Sequence, residues 1–427
     1  MAGRLISWKN DAKRVQVTRQ QWNKIVEGYA NNPEFERVNY TDERRYRFVR
    51  WFGKYMIDAK NDKYPVLYVG TPSGDLFRFT TNAIDDEKNV PHIGGYEAFR
   101  MVTKDFRRLE GVAFNAAFGE VTRDFKRFVK PAIIQVDPRF SLQNCYGTYK
   151  ADVSSAYPAA ACGALPDASS MMRIKGRVAP SKEYPFAFYE KSGHLAEYGK
   201  YDSHKWLGTF YRKYITFEKG EKQRDDLDAR TVAVEPDDEI TILMRSAGYS
   251  LTKTMKMLYN RKVESDDVKQ AMVAFFGFCQ SVNFNKGKYA HIVAVVYARH
   301  IQRMIEFSQK LRDAGCVPLM YATDSIAWRG KPPEGLCVEP EKKSMGAFVL
   351  EYKNAVLRYK ACGVYALQDL KTGNIYLVKH QGIKLEDAKL VKRLRDVDDL
   401  PSTATGIDKN TGKIMEVNLE NGKTVEL

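Results

Sequence analysis

The stretch 318-PLMYATDSIAW-328 places a single carboxylate, Asp324, between two apolar runs. Both runs are rich in residues that favour strands, so the pattern predicts a buried hairpin with Asp324 in its middle. A carboxylate among apolar neighbours costs free energy unless a cation neutralises it. We therefore expect Asp324 either to meet a basic side chain or to hold a metal ion with a second acid from elsewhere in the chain.

The composition is that of a folded, basic protein. The chain has 427 residues, 44% of them hydrophobic, and a chain of this length is expected to form about three domains. There are 68 Lys and Arg against 53 Asp and Glu, a formal net charge of +15. This excess favours a polyanionic partner, with nucleic acid ahead of an acidic membrane surface.

The cysteines and the apolar runs exclude several classes of protein. None of the 6 cysteines belongs to a Cys-x-x-Cys pair, so a zinc ribbon or a disulfide framework is not expected. The N-terminus lacks the apolar core of a signal peptide, and no apolar run reaches membrane-spanning length. We therefore expect a cytoplasmic protein with reduced thiols and no membrane partner.

The pattern along the chain predicts alternating strands and helices. A hairpin is expected at 65–79, two consecutive helices at 251–281, and a long helix at 290–315. Two strands are expected at 364–384 and a further hairpin at 409–427.

Arginines and aromatic residues are interleaved in 44-RRYRFVRWFGKY-55. The segment is expected to be either a phosphate-binding and base-stacking surface for a single strand, or an amphipathic helix with its aromatic side inward. The second interpretation is favoured.

The best partner for Asp324 is Asp152, in 152-DVSSAYP-158, which also occupies a strand-like position among small and apolar residues. Two carboxylates brought together repel each other unless cations lie between them. Polymerases and nucleases use two Mg²⁺ ions about 3.5–4 Å apart for in-line phosphoryl displacement. Mg²⁺ needs only one or two carboxylates when phosphates and water supply its other ligands.

Three segments resemble motifs of the B-family DNA polymerases and occur in the order of that family. The segment 152-DVSSAYP-158 is similar to motif A, Asp-x-x-Ser-Leu-Tyr-Pro. The segment 269-KQAMVAFFG-277 resembles motif B, Lys-x3-Asn-Ser-x-Tyr-Gly, and 321-YATDS-325 resembles motif C, Tyr-Gly-Asp-Thr-Asp-Ser. Three motifs in order are far more specific than any one of them.

The resemblance covers residues 145 to 385. The segment 289-YAHIVAVVYARHIQRM-304 is similar to the helix before motif C, and 375-IYLVKHQGIK-384 resembles the Lys-x-x-Gly-Ile element between palm and thumb. The short spacings are most similar to those of the protein-primed branch found in phages and linear plasmids.

The resemblance implies roles for particular residues. Asp152 and Asp324 would be the catalytic, metal-binding pair, with the backbone carbonyl of Val153 as a further ligand for two Mg²⁺ ions, which Mn²⁺ could replace. Tyr157 would be the steric gate beneath the incoming sugar. The residues implied in nucleotide binding are Ser155, Ala156, Tyr157, Lys269, Phe276 and Gly277, together with Arg261 or Lys262 on the preceding helix. The residues implied in DNA binding are Thr323, Ser325, Arg358, Lys360, Lys379 and Lys384.

The sequence also departs from the family pattern. Ala322 replaces the first acid of motif C, and Val273 and Ala274 replace the Asn-Ser of motif B. These changes place turnover, fidelity and nucleotide affinity in doubt. No paired acids of a 3′–5′ exonuclease are found before residue 145, so proofreading is expected to be absent. The short interval between motifs B and C leaves little room for the strand-displacement insertion, so low processivity is expected.

The implied fold is α+β, a right hand whose palm carries an antiparallel sheet, with two-helix fingers and a small β-rich thumb. The expected division is an N-terminal domain at 1–140, a first palm segment at 141–235, fingers at 236–280, a second palm segment at 281–360, and a thumb with a β-rich tail at 361–427. The N-terminal domain would be a degenerate exonuclease fold or a new one.

Three functions remain open from the sequence. The chain could be a DNA polymerase without proofreading that uses primer–template DNA and dNTPs. It could instead make short primers, starting de novo or on a priming protein, or it could be a decayed polymerase that binds DNA as a scaffold. Beyond DNA and dNTPs, the candidate partners are a priming protein or replication accessory factors.

Overall fold

A computed structural model describes residues 95–400, except 131, 207–233, 263–265, 362 and 381–390. Outside that range it describes the backbone of nine strands. The chain divides into two compact units. One comprises Met1–Pro91 and Ile407–Ile414, and the other comprises His92–Gly406 and Met415–Leu427. The predicted domain boundary at residue 140 falls inside the larger unit.

The smaller unit is built from strands. They are β1 Lys13–Val17, β2 Arg37–Asn39, β3 Arg47–Val49, β4 Tyr55–Asp58, β5 Val66–Gly70 and β6 Leu76–Thr81. One sheet has the order β1-β6-β5-β4, and β2 pairs with β3. The antiparallel pair β5–β6 confirms the hairpin expected at 65–79. The amphipathic helix favoured for 44–55 is wrong, because β3 and the start of β4 lie there and cross-strand pairing overrides the helical pattern.

The described part of the larger unit contains eight helices. They are α1 Gly95–Glu110, α2 Phe114–Phe118, α3 Ala156–Ala160, α4 Ser203–Lys205, α5 Thr252–Arg261, α6 Asp266–Gln280, α7 Val282–Asn285 and α8 Ala290–Asp313. The helices α5 and α6 confirm the expected helix pair, and α8 confirms the long helix, which is followed by Gly315 at a φ of 75°. Glycine adopts this left-handed conformation without steric cost, so it suits the end of a helix.

The remaining strands follow in chain order. They are β7 Ile134–Val136, β8 Cys145–Val153, β9 Met172–Lys175, β10 Phe186–Tyr189, β11 His194–Glu197, β12 Tyr201–Asp202, β13 Ile240–Met244, β14 Val317–Ala322, β15 Ser325–Arg329, β16 Phe348–Ala361, β17 Val364–Asp369, β18 Ile375–His380, β19 Thr403–Ile407, β20 Ile414–Asn418 and β21 Thr424–Glu426. The antiparallel pair β20–β21 agrees with the hairpin expected near the C-terminus.

A seven-stranded antiparallel sheet is the centre of the larger unit. Its order is β18-β17-β16-β8-β15-β14-β7, so β8 lies between β16 and the β14–β15 hairpin. The expected strands around Asp324 and at 364–384 are thereby confirmed. A second, five-stranded sheet has the order β12-β11-β10-β13-β9.

Both faces of the seven-stranded sheet are buried. On one face the helix α8 packs against it: the Phe307 ring stacks on Phe348 at 3.7 Å and meets Trp328 edge-on at 5.7 Å. On the opposite face a separate apolar cluster includes Leu319 and Leu357. Burial on both faces fixes the strand register, because a slip of one residue would exchange the two apolar sets.

Aromatic packing joins α1 to α6. Phe99 of α1 stacks on Phe275 of α6 at 5.9 Å and approaches Phe278 at 5.2 Å. Tyr289, just before α8, stacks on the same Phe99 ring at 5.5 Å. Offset and edge-on aromatic contacts of this kind each add about 0.5–1.5 kcal/mol beyond area burial. The helix α6 is thus held by α1, a contact that the sequence pattern does not predict.

None of the helices in the described residues is long and apolar enough to cross a membrane.

Candidate active site

The two predicted acids lie side by side. The strands β8 and β15 pair antiparallel with Ser325 opposite Asp152, and the backbone N–H of Val153 donates to the carbonyl of Asp324 at 2.8 Å. The two carboxyl groups are close enough that the charge of Asp324 raises the pKa of Asp152. Asp324 therefore meets a second acid, as the sequence predicts.

Each acid is next to a turn held in a rare backbone conformation. Ser155 has a φ of 51° and Thr323 has a φ of 62°, both in the left-handed region that non-glycine residues seldom adopt. Such residues persist when their surroundings hold them, and they cluster at functional sites. At Thr323, the backbone N–H donates to the carbonyl of Ile133 at 2.8 Å, and Nε2 of His300 donates to the Thr323 carbonyl at 3.0 Å.

Burial and repulsion make the acids reluctant to ionise. Desolvation, the charge of Asp324 and the charge of Glu351 raise the pKa of Asp152 to about 7. Burial also raises the pKa of Asp324. The Lys150 ammonium opposes this, because its positive charge lowers the pKa of both carboxyl groups.

Lys150 and Glu351 form an ion pair beside the acids. Lys150 is two residues before Asp152 on β8, so both side chains are on one face of the strand. The Lys150 side chain is 8% exposed and that of Glu351 36%. The site thus contains one nearly buried cation, together with a third carboxylate that this cation neutralises.

The acids suit a divalent cation bound through oxygen. Oδ1 of Asp152 is buried and has no hydrogen-bond partner, which is costly unless a cation or donor binds there. Among the described residues there is no cluster of three or more His, Cys, Asp or Glu side chains arranged to hold a metal. A pair of carboxylates is nevertheless enough for Mg²⁺ when a substrate supplies phosphate oxygens. Nothing in the structure tests Val153 as a ligand, so that role stays a prediction.

A group of lysines faces the turn at Ser155. Nζ of Lys262 donates to the Ser155 hydroxyl at 2.8 Å and lies 3.8 Å from the centre of the Tyr259 ring. Desolvation, then the charges of Lys343 and Lys269, lower the pKa of Lys262 to about 8. Like charges gathered around a hydroxyl and backbone amides form a site that an anion would stabilise.

The structure separates the two basic residues that the sequence left as alternatives. Arg261 points to α1, where its Nη1 lies 3.3 Å from a carboxyl oxygen of Asp105. Lys262 faces Ser155. The nucleotide role predicted for "Arg261 or Lys262" therefore fits Lys262.

Among the described side chains of α6, three are exposed. Lys269, Val273 and Gly277 are exposed at successive i, i+4 positions, and Val273 is 61% exposed. Phe276 is fully buried, with its ring 6.3 Å from that of Tyr157. The expectation that Phe276 itself touches a nucleotide needs correction, because the helix turns this ring into the core and leaves Gly277 at the surface.

Tyr157 is supported from behind by α8. Its ring stacks on Tyr297 at 4.5 Å with 19° between the planes, and it meets the His300 ring edge-on at 5.3 Å. Because His300 also bonds the carbonyl of Thr323, one helix supports both the Tyr157 ring and the turn before Asp324.

The residues predicted to bind DNA have mixed placements. Arg358 forms an ion pair with Asp398, and Nζ of Lys360 donates to the carbonyl of Leu400 at 2.9 Å. These contacts give both side chains a structural role. Binding of these side chains to DNA would compete with the contacts. Ser325 is buried and its hydroxyl donates to the carbonyl of Ala322 at 3.3 Å. The side chain of Lys379 and all of Lys384 lie outside the described residues.

Sequence reasoning missed several residues of the site. The spacing of Tyr297 and His300, three apart on a helix, signals a shared face, and the spacing of Lys150 and Asp152 does the same on a strand. No local signal points to Glu351 or Lys343, which reach the site only through the order of strands in the sheet.

No protein-family model matches the sequence, and no curated protein matches it. Among solved structures, the fold is similar to phi29 DNA polymerase complexed with primer–template DNA, with a TM-score of 0.50 and 13% identity over 85% of this chain and 82% of that chain. An orthorhombic crystal form of phi29 DNA polymerase gives the same TM-score, identity and coverage. At this identity the likeness shows the fold: this chain has the mixed helix-and-sheet fold of a DNA polymerase over 85% of its length.

The raised pKa of Asp152 predicts a pH-dependent affinity for divalent cations. With a pKa of about 7, the carboxyl is mostly protonated below pH 7 and ionised above it, and cations bind the ionised form. We expect Mn²⁺ affinity, measured by titration with electron paramagnetic resonance detection, to rise as the pH increases through 7.

Two variants sharpen this test. Lys150→Met removes a charge that lowers the pKa of both acids, so the midpoint should move to higher pH. Asp313→Asn, which alters an exposed acid at the end of α8, should leave the curve unchanged. An affinity that stays constant between pH 5.5 and 8.5 would contradict the assignment.

Proposed function

We propose that this chain is a DNA-directed DNA polymerase that transfers a nucleotide from a dNTP to the 3′-hydroxyl of a primer paired to a template. The observation that carries the proposal is the pairing of β8 with β15, which brings Asp152 and Asp324 together beside the lysines at Ser155. The DNA polymerase fold supports the proposal. The net charge of +15 is in keeping with a polyanionic substrate.

In this proposal Asp152, Asp324 and the carbonyl of Val153 hold two Mg²⁺ ions. When bound, such ions lower the pKa of the attacking hydroxyl and neutralise charge on the phosphates. The residues present fit this role, since a cation would give the unpartnered Oδ1 of Asp152 a partner and would relieve the repulsion between Asp152 and Asp324.

The lysines and the Ser155 turn act on the triphosphate. In the reaction the primer 3′-oxygen forms a bond to the α-phosphorus, the bond to the β-phosphate oxygen breaks, and pyrophosphate leaves while the hydroxyl proton passes to solvent. Lys262 and Lys269 bind the β- and γ-phosphates, and the backbone N–H groups of Ser155 and Ala156 face the same oxygens. Catalysis is then largely positioning and charge neutralisation.

Tyr157 is proposed to select deoxyribose. Its ring packs against Tyr297 and His300 of α8, and these contacts would hold it in place against a 2′-hydroxyl. The adjoining exposed face of α6 presents Val273 and Gly277, whose small or apolar surfaces suit the nascent base pair.

The finer assignments are part of the proposal. The strands β7, β8, β14, β15 and β16 would belong to the palm and α5 and α6 to the fingers. Residues 361–427, whose strands β17 and β18 extend the same sheet, would form the thumb and tail. We further propose a cytoplasmic enzyme of the protein-primed B-family type, phage-encoded and acting in replication, without proofreading and with low processivity.

We expect dNTP incorporation on a primed template with Mg²⁺ or Mn²⁺, and at least a roughly hundredfold loss of rate for Asp324→Asn. The asparagine keeps the shape of the side chain but removes the charge that a divalent cation needs. Primer extension on a denaturing gel measures the rate, with Asp313→Asn as the matched acid control.

The result also separates the alternatives. No incorporation by the parent protein, with primer–template binding retained, would support a decayed polymerase that serves as a scaffold. Products formed equally well without a primer, and with no priming protein added, would support a primase-like enzyme that starts primers de novo.

Proofreading and processivity are tested on the same substrate. A mismatched primer incubated with metal and no dNTP should keep its length, because no exonuclease acids are predicted before residue 145. A single-hit extension assay, in which a trap captures enzyme that dissociates from the primer, should give short products. Metal-dependent shortening from the 3′ end, or trapped products of many hundreds of nucleotides, would contradict these two expectations respectively.

The lowered pKa of Lys262 predicts that nucleotide affinity falls at alkaline pH. A pKa of about 8 means that the free protein loses this charge as the pH rises through 8, and an anion binds the charged form more tightly. The KM for dNTP should therefore rise between pH 7.5 and 9.5. Lys262→Arg, which stays charged throughout, should flatten the curve, and an unchanged slope in this variant would show that another group titrates.

A further inference from the structure

The loop between β15 and β16 is held to the turn that follows Asp152. At its base, the N–H of Val338 donates to the carbonyl of Phe348 at 2.8 Å. At its far end, the N–H of Gly346 donates to the carbonyl of Ser154 at 2.6 Å, and the N–H of Ser154 donates to the carbonyl of Ala347 at 2.9 Å. Residues 338–347, which we call the β15–β16 loop, are thus attached to the segment that carries Ser155.

Gly346 allows this close approach. Its φ is 85°, a conformation that suits glycine, and a Cβ at this position would lie 2.9 Å from the Cβ of Ala159 and 3.1 Å from Nη1 of Arg303. No side chain would fit there without a shift. The loop therefore packs directly on α3, the helix that begins with Ala156 and Tyr157.

This attachment places Lys343 near Lys262. The charge of Lys343 lowers the pKa of Lys262, and its effect is larger than that of Lys269. Lys343 is exposed, and no carboxylate in the described part of the chain pairs with it. Its neighbour in the loop, Glu339, is instead paired with Lys353 at 2.7 Å.

We propose that Lys343 of the β15–β16 loop binds the triphosphate of the incoming nucleotide, together with Lys269 of α6 and Lys262 at the end of α5. The inference rests on the proposed function. It adds to the proposed nucleotide site a third ammonium group, which comes from a separate part of the chain. Lys262 and Lys269 come from consecutive helices, whereas Lys343 comes from the sheet side of the site.

Charge and position favour a triphosphate over a DNA phosphate. Three ammonium groups that repel one another need several negative charges in a small volume, and a triphosphate supplies them at one place. The contact of Lys262 with the Ser155 hydroxyl indicates where the negatively charged triphosphate would bind. A single backbone phosphate of DNA would satisfy one lysine and leave the repulsion between the others.

The test compares Lys343→Ala with Lys343→Arg and with Lys342→Ala. Lys342 is the adjacent exposed residue of the same loop, so it controls for the general loss of surface charge. We expect Lys343→Ala to raise the KM for dNTP roughly tenfold, the effect of losing one charge-assisted contact, with little change in the dissociation constant for primer–template. Lys343→Arg should restore most of the affinity, and Lys342→Ala should behave as the parent.

Two outcomes would overturn the inference. A KM for dNTP that is the same in Lys343→Ala and Lys342→Ala would show that Lys343 does not touch the triphosphate. A loss confined to primer–template binding would assign Lys343 to DNA instead.

A second measurement separates this inference from the proposed function. Inorganic tripolyphosphate, titrated calorimetrically into the full chain without DNA, reports the lysine site alone. If the chain makes no DNA but Lys343→Ala weakens tripolyphosphate binding several-fold, the anion site stands and polymerase activity fails. If the chain makes DNA and neither tripolyphosphate nor dNTP affinity responds to Lys343→Ala, the role of Lys343 fails and the proposed function stands.

Discussion

The site depends on the antiparallel pairing of β8 with β15. The bond from the Val153 N–H to the Asp324 carbonyl, at 2.8 Å, fixes the ends of two strands that lie far apart in sequence. Because side chains alternate across a strand, a shift of one residue would send Asp152 to the opposite face and separate the acids. The apolar packing on both faces of the sheet resists that shift. The strand register that forms the core is therefore also the register that forms the site.

Charge is divided within the site. The negative charges belong to Asp152 and Asp324, and the pKa of Asp152 is about 7. The positive charges belong to Lys262, Lys269 and Lys343. Burial and repulsion between like charges raise the free energy of the ionised acids, and they do the same for the charged lysines. Cations bound by the acids and a polyanion bound by the lysines would lower both electrostatic costs. Within the ion pair beside the acids, the charge of Lys150 lowers the pKa of both carboxyl groups and the charge of Glu351 raises it.

The helix α8 forms the rear wall of the site. Tyr297 and His300 hold the ring of Tyr157, and His300 also bonds the carbonyl of Thr323. Immediately before His300, Arg299 pairs with Glu197 at 2.7 Å and donates to the carbonyl of Ala160 at 3.2 Å. A single rigid element thus positions the short helix that carries Tyr157 and the turn that carries Asp324. The position of the Tyr157 helix relative to the Asp324 turn is therefore set by α8.

Local residue patterns predicted the helices and strands around the site and the two acids in it. The turn at Asp324, the helix α8 and the acid Asp152 follow from residue spacing, because strand and helix periods are properties of short segments. Tertiary structure alone decided which basic residue faces Ser155, that Phe276 is buried, and that Glu351 and Lys343 reach the site. The amphipathic helix favoured for 44–55 failed for the same reason, since pairing with a distant strand outweighed the local pattern. Contacts between segments far apart in the chain depend on sheet order and on backbone bonds such as that from Gly346 to Ser154, and no local periodicity encodes them.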